Sequence, residues 1–313
     1  MRALVVHRPG APGAKPVLTL KERPVPVLAK DSTQVLIKVR ASKINPSDLL
    51  NVAGGFPYTT YPRIPGRDYA GTIVSSPGNT TLEGTNVFGT SGNQLGFVRD
   101  GAHAEFLVMD SDELVEMPAT ISFDQAACIG VPYTTALLMI RRAAGSGDQE
   151  APKVLIIGGT GNVGTALAEL LPALVPRSTH TSLSRVDGVL TLPTTEKFDI
   201  IFGTVPDTAC LQAALPLLAK RGRLVYIACT RPHSEPLSID PLQFYRDELS
   251  LIGVNSIDCT MPEATALMRT LSALISDGDL RVKQRAIRKV ALTEGEGAYR
   301  DAGTSCESLV LTM

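Results

Sequence analysis

Apolar and polar positions follow two different rhythms along the chain. Up to about residue 120, apolar residues come in short runs punctuated by Gly and Pro. They predict strands at Ala3–Val6, Val17–Glu22, Gln34–Ala41, Tyr69–Ser75, Asn86–Thr90 and His103–Met109. The run Val35-Leu-Ile-Lys-Val-Arg-Ala41 mixes alternation with continuous apolar packing, as a barrel strand does. No strand–helix alternation runs through this part, so it reads as an antiparallel domain. Asn45-Pro46 stops a strand, and Ser47 or Asp48 can cap a short helix through Val52. Pro62 and Pro65 impose an extended approach to a turn at Gly66, and Gly101 opens another turn. Asp124–Arg142 reads as helical, with Pro132 dividing it in two.

From residue 150 the pattern changes. Val154–Ile157 is a four-residue apolar run, the signature of a buried parallel strand, and Thr165–Leu171 reads as an apolar helix. Further strands are predicted at Thr179–Ser184, Gly188–Leu192, Phe198–Thr204, Arg223–Ala228 and Leu249–Val254, and helices at Asp207–Ala219 and Met261–Asp277. Strand–helix alternation implies a parallel sheet covered on both faces. Short strands at Arg288–Leu292 and Ser308–Leu311 return the chain to its first domain. The division expected is 1–121 with 279–313 as one domain and 122–278 as the other.

Between the first buried strand and its helix stand Gly158, Gly161 and Gly164. This spacing serves a tight turn, close approach of a pyrophosphate and close helix–strand packing. Gly158, Thr160, Gly161, Asn162, Val163 and Gly164 would form the cradle, with bare N–H groups at a helix N-terminus facing the phosphates. A site that prefers NAD carries an acid about 20 residues further on. Here that position is Ser184, and no carboxylate precedes Asp187. Ser182, Ser184 and Arg185 suit a 2′-phosphate, which points to NADPH.

Composition narrows the partners. The chain has 313 residues, 44% hydrophobic and 19% charged, with a formal net charge of -1. There is no basic excess of the kind nucleic acid requires. The five cysteines, Cys128, Cys210, Cys229, Cys259 and Cys306, are scattered and odd in number, and support neither a disulfide framework nor a structural zinc site. The N-terminal apolar run is broken by charge and Pro9, and no run approaches membrane-spanning length. A soluble protein of the reducing cytoplasm is expected.

Asn45-Pro-Ser-Asp48, Pro65-Gly-Arg-Asp-Tyr-Ala-Gly71, Gly101-Ala-His-Ala-Glu-Phe106, Gly130-Val-Pro-Tyr-Thr-Thr-Ala136 and the glycine turn stand in this order along the chain. In that register the sequence resembles the medium-chain dehydrogenase/reductase superfamily, in its zinc-free quinone oxidoreductase-like (zeta-crystallin-like) branch. The resemblance implies an α/β fold, a Rossmann parallel sheet domain plus a GroES-like β-barrel domain, with the active site in a cleft between them. It also implies hydride transfer from a nicotinamide cofactor. Where zinc-dependent relatives place their catalytic ligands, this chain has Asn45, Arg67 and Val131, so no metal is expected. Without a Lewis acid, the suitable acceptors are quinones and activated C=C bonds of enones or alkenals.

The resemblance also nominates residues. Asn45 could bond the nicotinamide ribose or a substrate carbonyl, or only cap a turn. Arg67 could attract the cofactor phosphates, polarise a carbonyl, or pair with Asp48 or Asp68. Related enoyl reductases place a proton-donating Tyr where this chain has Phe56. Tyr58 and Tyr61 lie close by, and Tyr58 is the candidate for donor or substrate wall. Tyr133 and Thr134 resemble residues near the cofactor, and His103 reads as structural. Leu249–Ile257 resembles an edge strand through which relatives form homodimers. The family has a helix between the second and third Rossmann strands. Here Arg185–Leu190 links them in a few residues, so either the second strand is displaced or the crossover is lost. The function expected is an NADPH-dependent, metal-independent quinone or alkenal reductase. The alternatives are a non-catalytic NADPH-binding sensor and a trans-acting enoyl reductase of a biosynthetic pathway.

Overall fold

The computed structural model describes residues 1–8, 14–144, 150–185, 190–192, 195–228, 236–283, 286–302 and 307–313. It divides into two compact units, Met1–Thr134 with Ile257–Met313, and Thr135–Ser256. The first unit opens with an antiparallel pair, β1 (Arg2–His7) and β2 (Val17–Glu22). The ten-residue β3 (Gln34–Lys43) follows. Its residues Val35, Ile37 and Val39 share a core with Tyr69, Ile73, Leu107 and Met109. The strand ends at Asn45, where helix α1 (Pro46–Val52) starts with Pro at its first position, a site whose N–H has no helical acceptor in any case. Strands β4 (Tyr69–Ser75), β5 (Asn86–Gly89) and β6 (Phe106–Asp110) build outward from β3.

Two helices come next, α2 (Phe123–Ala127) and α3 (Gly130–Ala143). Pro132 does not separate them, as the sequence reading had it. The break falls at Cys128 and Ile129, and Pro132 sits in the first turn of α3. A proline there gives up an N–H that has no intrahelical partner, so it costs the helix nothing.

The second unit is a five-stranded parallel sheet. Its strands are β7 (Lys153–Ile157), β8 (Thr179–Leu183), β9 (Phe198–Gly203), β10 (Leu218–Tyr226) and β11 (Ser250–Gly253), in the order β11-β10-β9-β7-β8. Val154–Ile157 and Ile200–Gly203 are buried at every successive position, so both faces of the sheet centre are covered. Helix α4 (Asn162–Leu174) follows β7, α5 (Thr208–Ala214) follows β9, and α6 (Pro241–Arg246) precedes β11. Helix α5 is shorter than the predicted Asp207–Ala219, because β10 already begins at Leu218.

The predicted strand Gly188–Leu192 is not found. Residues 190–192 are irregular, and 186–189 lie outside the described residues. The chain runs from β8 to β9 through residues 184–197, long enough for a parallel crossover, with no further strand among its described residues. Strand β8 is therefore the sheet edge, and all but its last residue are exposed.

The chain then returns to the first unit through α7 (Met261–Ser276), β12 (Ile287–Ala291), α8 (Gly295–Asp301) and β13 (Ser308–Thr312). Strand β13 pairs with β3 and with β12. Helix α7 groups with this unit. Thr265 and Ser272 donate to the carbonyls of Glu113 and Glu116, and Met261 joins the core of β3. The observed division therefore falls at 134/135 and 256/257. No helix among the described residues is long and apolar enough to cross a membrane.

Candidate active site

The glycine turn closes β7 onto α4. The N–H groups of Gly158 and Gly159 both donate to the Leu183 carbonyl at the end of β8 (2.8 and 2.9 Å), and Thr160 N donates to Ser184 Oγ (2.9 Å). Gly158 takes a positive φ of 91°, and a Cβ there would meet Thr204 Oγ1 at 2.4 Å. At Gly164 a Cβ would lie 2.2 Å from the Gly158 carbonyl oxygen, so packing alone requires glycine. At Gly161 the nearest atom would be 3.2 Å away. That contact is tight but far less severe than at Gly158 and Gly164, and it leaves the backbone bare for a pyrophosphate. Gly161 caps α4 without a side-chain bond, and Val163 and Gly164 direct N–H groups that have no acceptor among the described residues. These residues fit a dinucleotide phosphate.

Around the turn, Ser182 is exposed on β8 and Ser184 is tied to Thr160. Arg185 is turned onto Asp207, with Nη2 3.0 Å from Oδ2, and the same oxygen accepts from Cys210 Sγ. Asp207 also caps α5 through Ala209 N. Its importance was not visible in the sequence, because its partner lies 22 residues away.

In the first unit, β3, α1, β4 and the start of α3 bring a cluster of charges together. Arg67 is only 2% exposed. Its Nε and Nη2 donate to the Ser91 carbonyl (3.1 and 2.6 Å), and Nη1 donates to Ser47 Oγ (3.1 Å). Burial pulls its pKa down, and the charges of Asp48 and Asp68 push it back up. Asp68 accepts Asn45 Nδ2 at 2.8 Å, and both its oxygens accept from Val131 N (2.9 and 3.1 Å). Gly130 is forced by this approach, since its Cβ would stand 2.1 Å from Asp68 Oδ1. Asp48 accepts Asn45 N (2.8 Å), and burial raises its pKa to about 6 against the opposing pull of that bond and of Arg67. Asp68 is raised by burial as well.

Tyr58 packs with Phe56 and Phe97, at centroid distances of 5.7 and 5.6 Å, and keeps 39% of its surface exposed. Burial raises the phenol pKa and the Arg67 charge opposes it. Thr134 turns its hydroxyl back onto the Gly130 carbonyl (2.8 Å), and Tyr133 is buried. His103 is fully buried. Its Nε2 faces the Lys43 carbonyl (3.2 Å) and its Nδ1 the Tyr299 hydroxyl (2.8 Å). A carbonyl only accepts, so Nε2 carries the proton and Tyr299 donates to Nδ1. Burial lowers the His103 pKa to about 4. It holds Gly66 in place, where a Cβ would meet the ring at 2.5 Å. Asn45, Tyr58 and Arg67 are thus drawn together in the first unit, and the glycine turn, Ser182, Ser184 and Arg185 in the second.

The family of alcohol dehydrogenase GroES-like domains matches residues 31–119. The whole chain is 38% identical to the zinc-type alcohol dehydrogenase-like protein C337.11 of Schizosaccharomyces pombe, covering 97% of that protein. It is 28% identical to the quinone oxidoreductase of Mus musculus over 89% of this chain and 87% of that protein. YhfP of Bacillus subtilis is 32% identical over 88% of this chain and 87% of its own. The crystal structure of that protein with NAD bound superposes with a TM-score of 0.76 at 25% identity, covering all of this chain and 99% of the other. The chain belongs to the medium-chain dehydrogenase/reductase superfamily, in its quinone oxidoreductase-like branch. It is an oxidoreductase of GroES-like plus Rossmann architecture.

In this oxidoreductase the three positions where the sequence resemblance places zinc ligands do not form a donor set. The Asn45 amide donates to Asp68, Arg67 is a cation without a lone pair, and Val131 offers only its backbone N–H. Among the described residues no group of three or more His, Cys, Asp or Glu could hold a metal ion.

Two predictions follow from this geometry. Gly164→Ala should destabilise the fold by about 1–3 kcal/mol, as overpacking does, while Gly161→Ala should lower the melting temperature less than Gly164→Ala and weaken dinucleotide binding. Thermal melts and nucleotide titrations of both variants check this, and a stable Gly164→Ala would refute it. The second concerns pH. Asp48 has a folded pKa near 6 against 3.8, so its contribution to stability is complete below about pH 3.8 and is lost as pH rises through 6. Asp68 acts in the same direction. His103, near 4 against 6.5, does the reverse: its contribution is present above pH 6.5 and is lost as pH falls toward 4. Asp48→Asn removes one of the opposed slopes, on the order of 3 kcal/mol. Its stability to urea should therefore rise more steeply with pH between 4 and 6 than that of wild type. Parallel profiles would overturn the assignment.

Proposed function

We propose that the chain is an NADPH-dependent, metal-independent reductase of quinones and activated C=C bonds. The observation that carries this reading is the buried guanidinium of Arg67, fixed by Ser91 and Ser47 where relatives bind a metal, with the protonated phenol of Tyr58 beside it. A nicotinamide cofactor supplies the hydride when bound. Val163 and Gly164 would hold its pyrophosphate, and Ser182 and Arg185 its 2′-phosphate. The positive field of Arg67 favours negative charge developing on a substrate oxygen. Tyr58 is exposed enough to donate a proton and be reprotonated from water. Asn45 positions Asp68 and through it the start of α3.

Structural neighbours support a nicotinamide cofactor. YhfP holds NAD, and YhdH of E. coli K-12, alike in fold at a TM-score of 0.73, holds NADPH. Strand β11 lies at the sheet edge, which suits the homodimer this reading includes. A reducing cytoplasm is its compartment.

The test measures NADPH oxidation with 1,4-benzoquinone, 9,10-phenanthrenequinone and an enone, with and without chelator. Turnover insensitive to chelator is expected. Tyr58→Phe should lower kcat for the enone by about 100-fold, the usual worth of a general acid, and the quinones less, because a hydroquinone dianion takes its protons from water. Turnover confined to alcohols, or lost with chelator, would sink the reading. Tight NADPH binding without turnover would establish the sensor instead.

Cofactor choice is separately testable. Asp207 engages Arg185 and sets a negative charge where a 2′-phosphate would pair. Asp207→Asn keeps the cap of α5 and should tighten NADPH about fivefold, the scale of an exposed ion pair, with NADH unchanged. Arg185→Ala should weaken NADPH alone by about 10-fold or more. Equal effects on both cofactors in isothermal titration would overturn the assignment.

A further inference from the structure

The second unit has a cavity of about 430 Å³ that the reductase reading does not use. It lies among the C-terminal turns of α3 and α4 and the first residues of β9 and β10. Its floor is aliphatic and aromatic: Leu137, Ile140, Leu171, Leu174, Ile200 and Phe202. Lys153 opens β7 beside it, whereas the glycine turn follows Ile157 at the other end of the same strand. The two places are therefore about 16 Å apart along the sheet, from the rise of five extended residues. Nucleotide-type ligands of such sheets bind at the C-terminal ends of the strands, so this cavity serves something else. Its size falls within the range of small-molecule sites.

The mouth is cationic, and a local irregularity of β10 makes it so. Between the pairs Leu218–Phe198 and Arg223–Ile200, β10 advances five residues while β9 advances two. The extra length carries Lys220 and Arg221, the latter in the left-handed region at φ 63°. Arg221 pairs with Glu248 (2.9 Å), and Arg223 Nη1 donates to the Ala143 carbonyl at the end of α3 (2.7 Å). Lys220 is exposed and makes no hydrogen bond or ion pair among the described residues. Arg141 lines the same rim. The single carboxylate among the described lining residues, Asp199, accepts the Lys153 N–H (2.8 Å). Among the described residues, Arg141, Lys220, Arg221 and Arg223 stand in the lining against the one carboxylate of Asp199.

We infer that this cavity binds a medium-chain carboxylate, with its alkyl chain on the Leu137–Phe202 floor and its carboxylate at Lys220. The apolar depth selects a chain and the rim selects an anion. The site is independent of the nucleotide turn and of the proposed acceptor chemistry.

Isothermal titration of the full chain with octanoate, decanoate, octan-1-ol and octylammonium tests this. Saturable binding of decanoate is expected, tighter than octanoate by about fourfold for each added methylene until the floor is filled, with octylammonium excluded. Lys220→Glu alters an exposed, unpaired side chain and should weaken decanoate at least tenfold while leaving octan-1-ol unchanged. Leu174→Trp should fill the floor and abolish both. NADPH affinity should stay at wild type in both variants. Absence of saturable decanoate binding up to about 1 mM, or equal affinity for octanoate and octylammonium, would overturn the inference. So would unchanged affinity in Lys220→Glu, which decides the matter even if Leu174→Trp does not fold.

Discussion

Asp68 is the carboxylate on which the first unit's site depends. It is wholly buried, so its charge has to be met by directed hydrogen bonds rather than by water. Val131 N and Asn45 Nδ2 supply those bonds, and Arg67 supplies the field. From this one group the constraints spread outward. Gly130 must be glycine because Asp68 Oδ1 stands where a Cβ would be. The first turn of α3 must expose the Val131 N–H, which Pro132 just beyond it does not disturb. Asn45 must end β3 so that its amide reaches inward while its backbone meets Asp48. A buried cation flanked by two buried carboxylates is costly to assemble and costlier to break, because removing one member strands the others.

The second unit solves a similar problem with backbone alone. Gly158, Gly159 and Thr160 meet acceptors at the end of β8, so the turn is fixed without a ligand. The N–H groups of Val163 and Gly164 remain for an anion. A rigid turn with unspent donors can accept a phosphate without reorganising, which favours binding. Arg185 is different. It is held by Asp207, so a 2′-phosphate has to compete with an existing ion pair.

Much of this was legible in the residues. The strands of the first unit follow from alternation and Gly/Pro punctuation, and β2 and β4 begin and end where the pattern places them. The three glycines of the nucleotide turn follow from spacing, and the structure gives Gly158 and Gly164 distinct steric reasons. The failures share a cause, which is that local pattern does not specify distant partners. Pro132 reads as a breaker, yet in a first turn it is compatible with helix. Gly188–Leu192 is apolar enough to be a strand but stands too near β8 in sequence to cross over to a parallel position. The bond of Asp68 to Val131 spans 63 residues, and that of Asp207 to Arg185 spans 22. Neither carboxylate sits in a motif that would announce its partner.

The charge arrangement also explains why Asn45, Arg67 and Val131 are not a metal site with one ligand missing. Putting a neutral donor at Arg67 would leave Asp48 and Asp68 buried without their cation, and both would take up protons more readily still, since burial already raises them. Asp68 would remain committed to the N-terminus of α3 through Val131, and Asn45 to Asp68. A divalent ion would have to displace those bonds, each holding a piece of the fold. Arg67 fills the position with a charge that needs no deprotonated ligands, and the two carboxylates that balance it are the same ones that shape the site. A metal site here would therefore require changing Asn45, Arg67 and Val131 together with the bonds that fix Asp68.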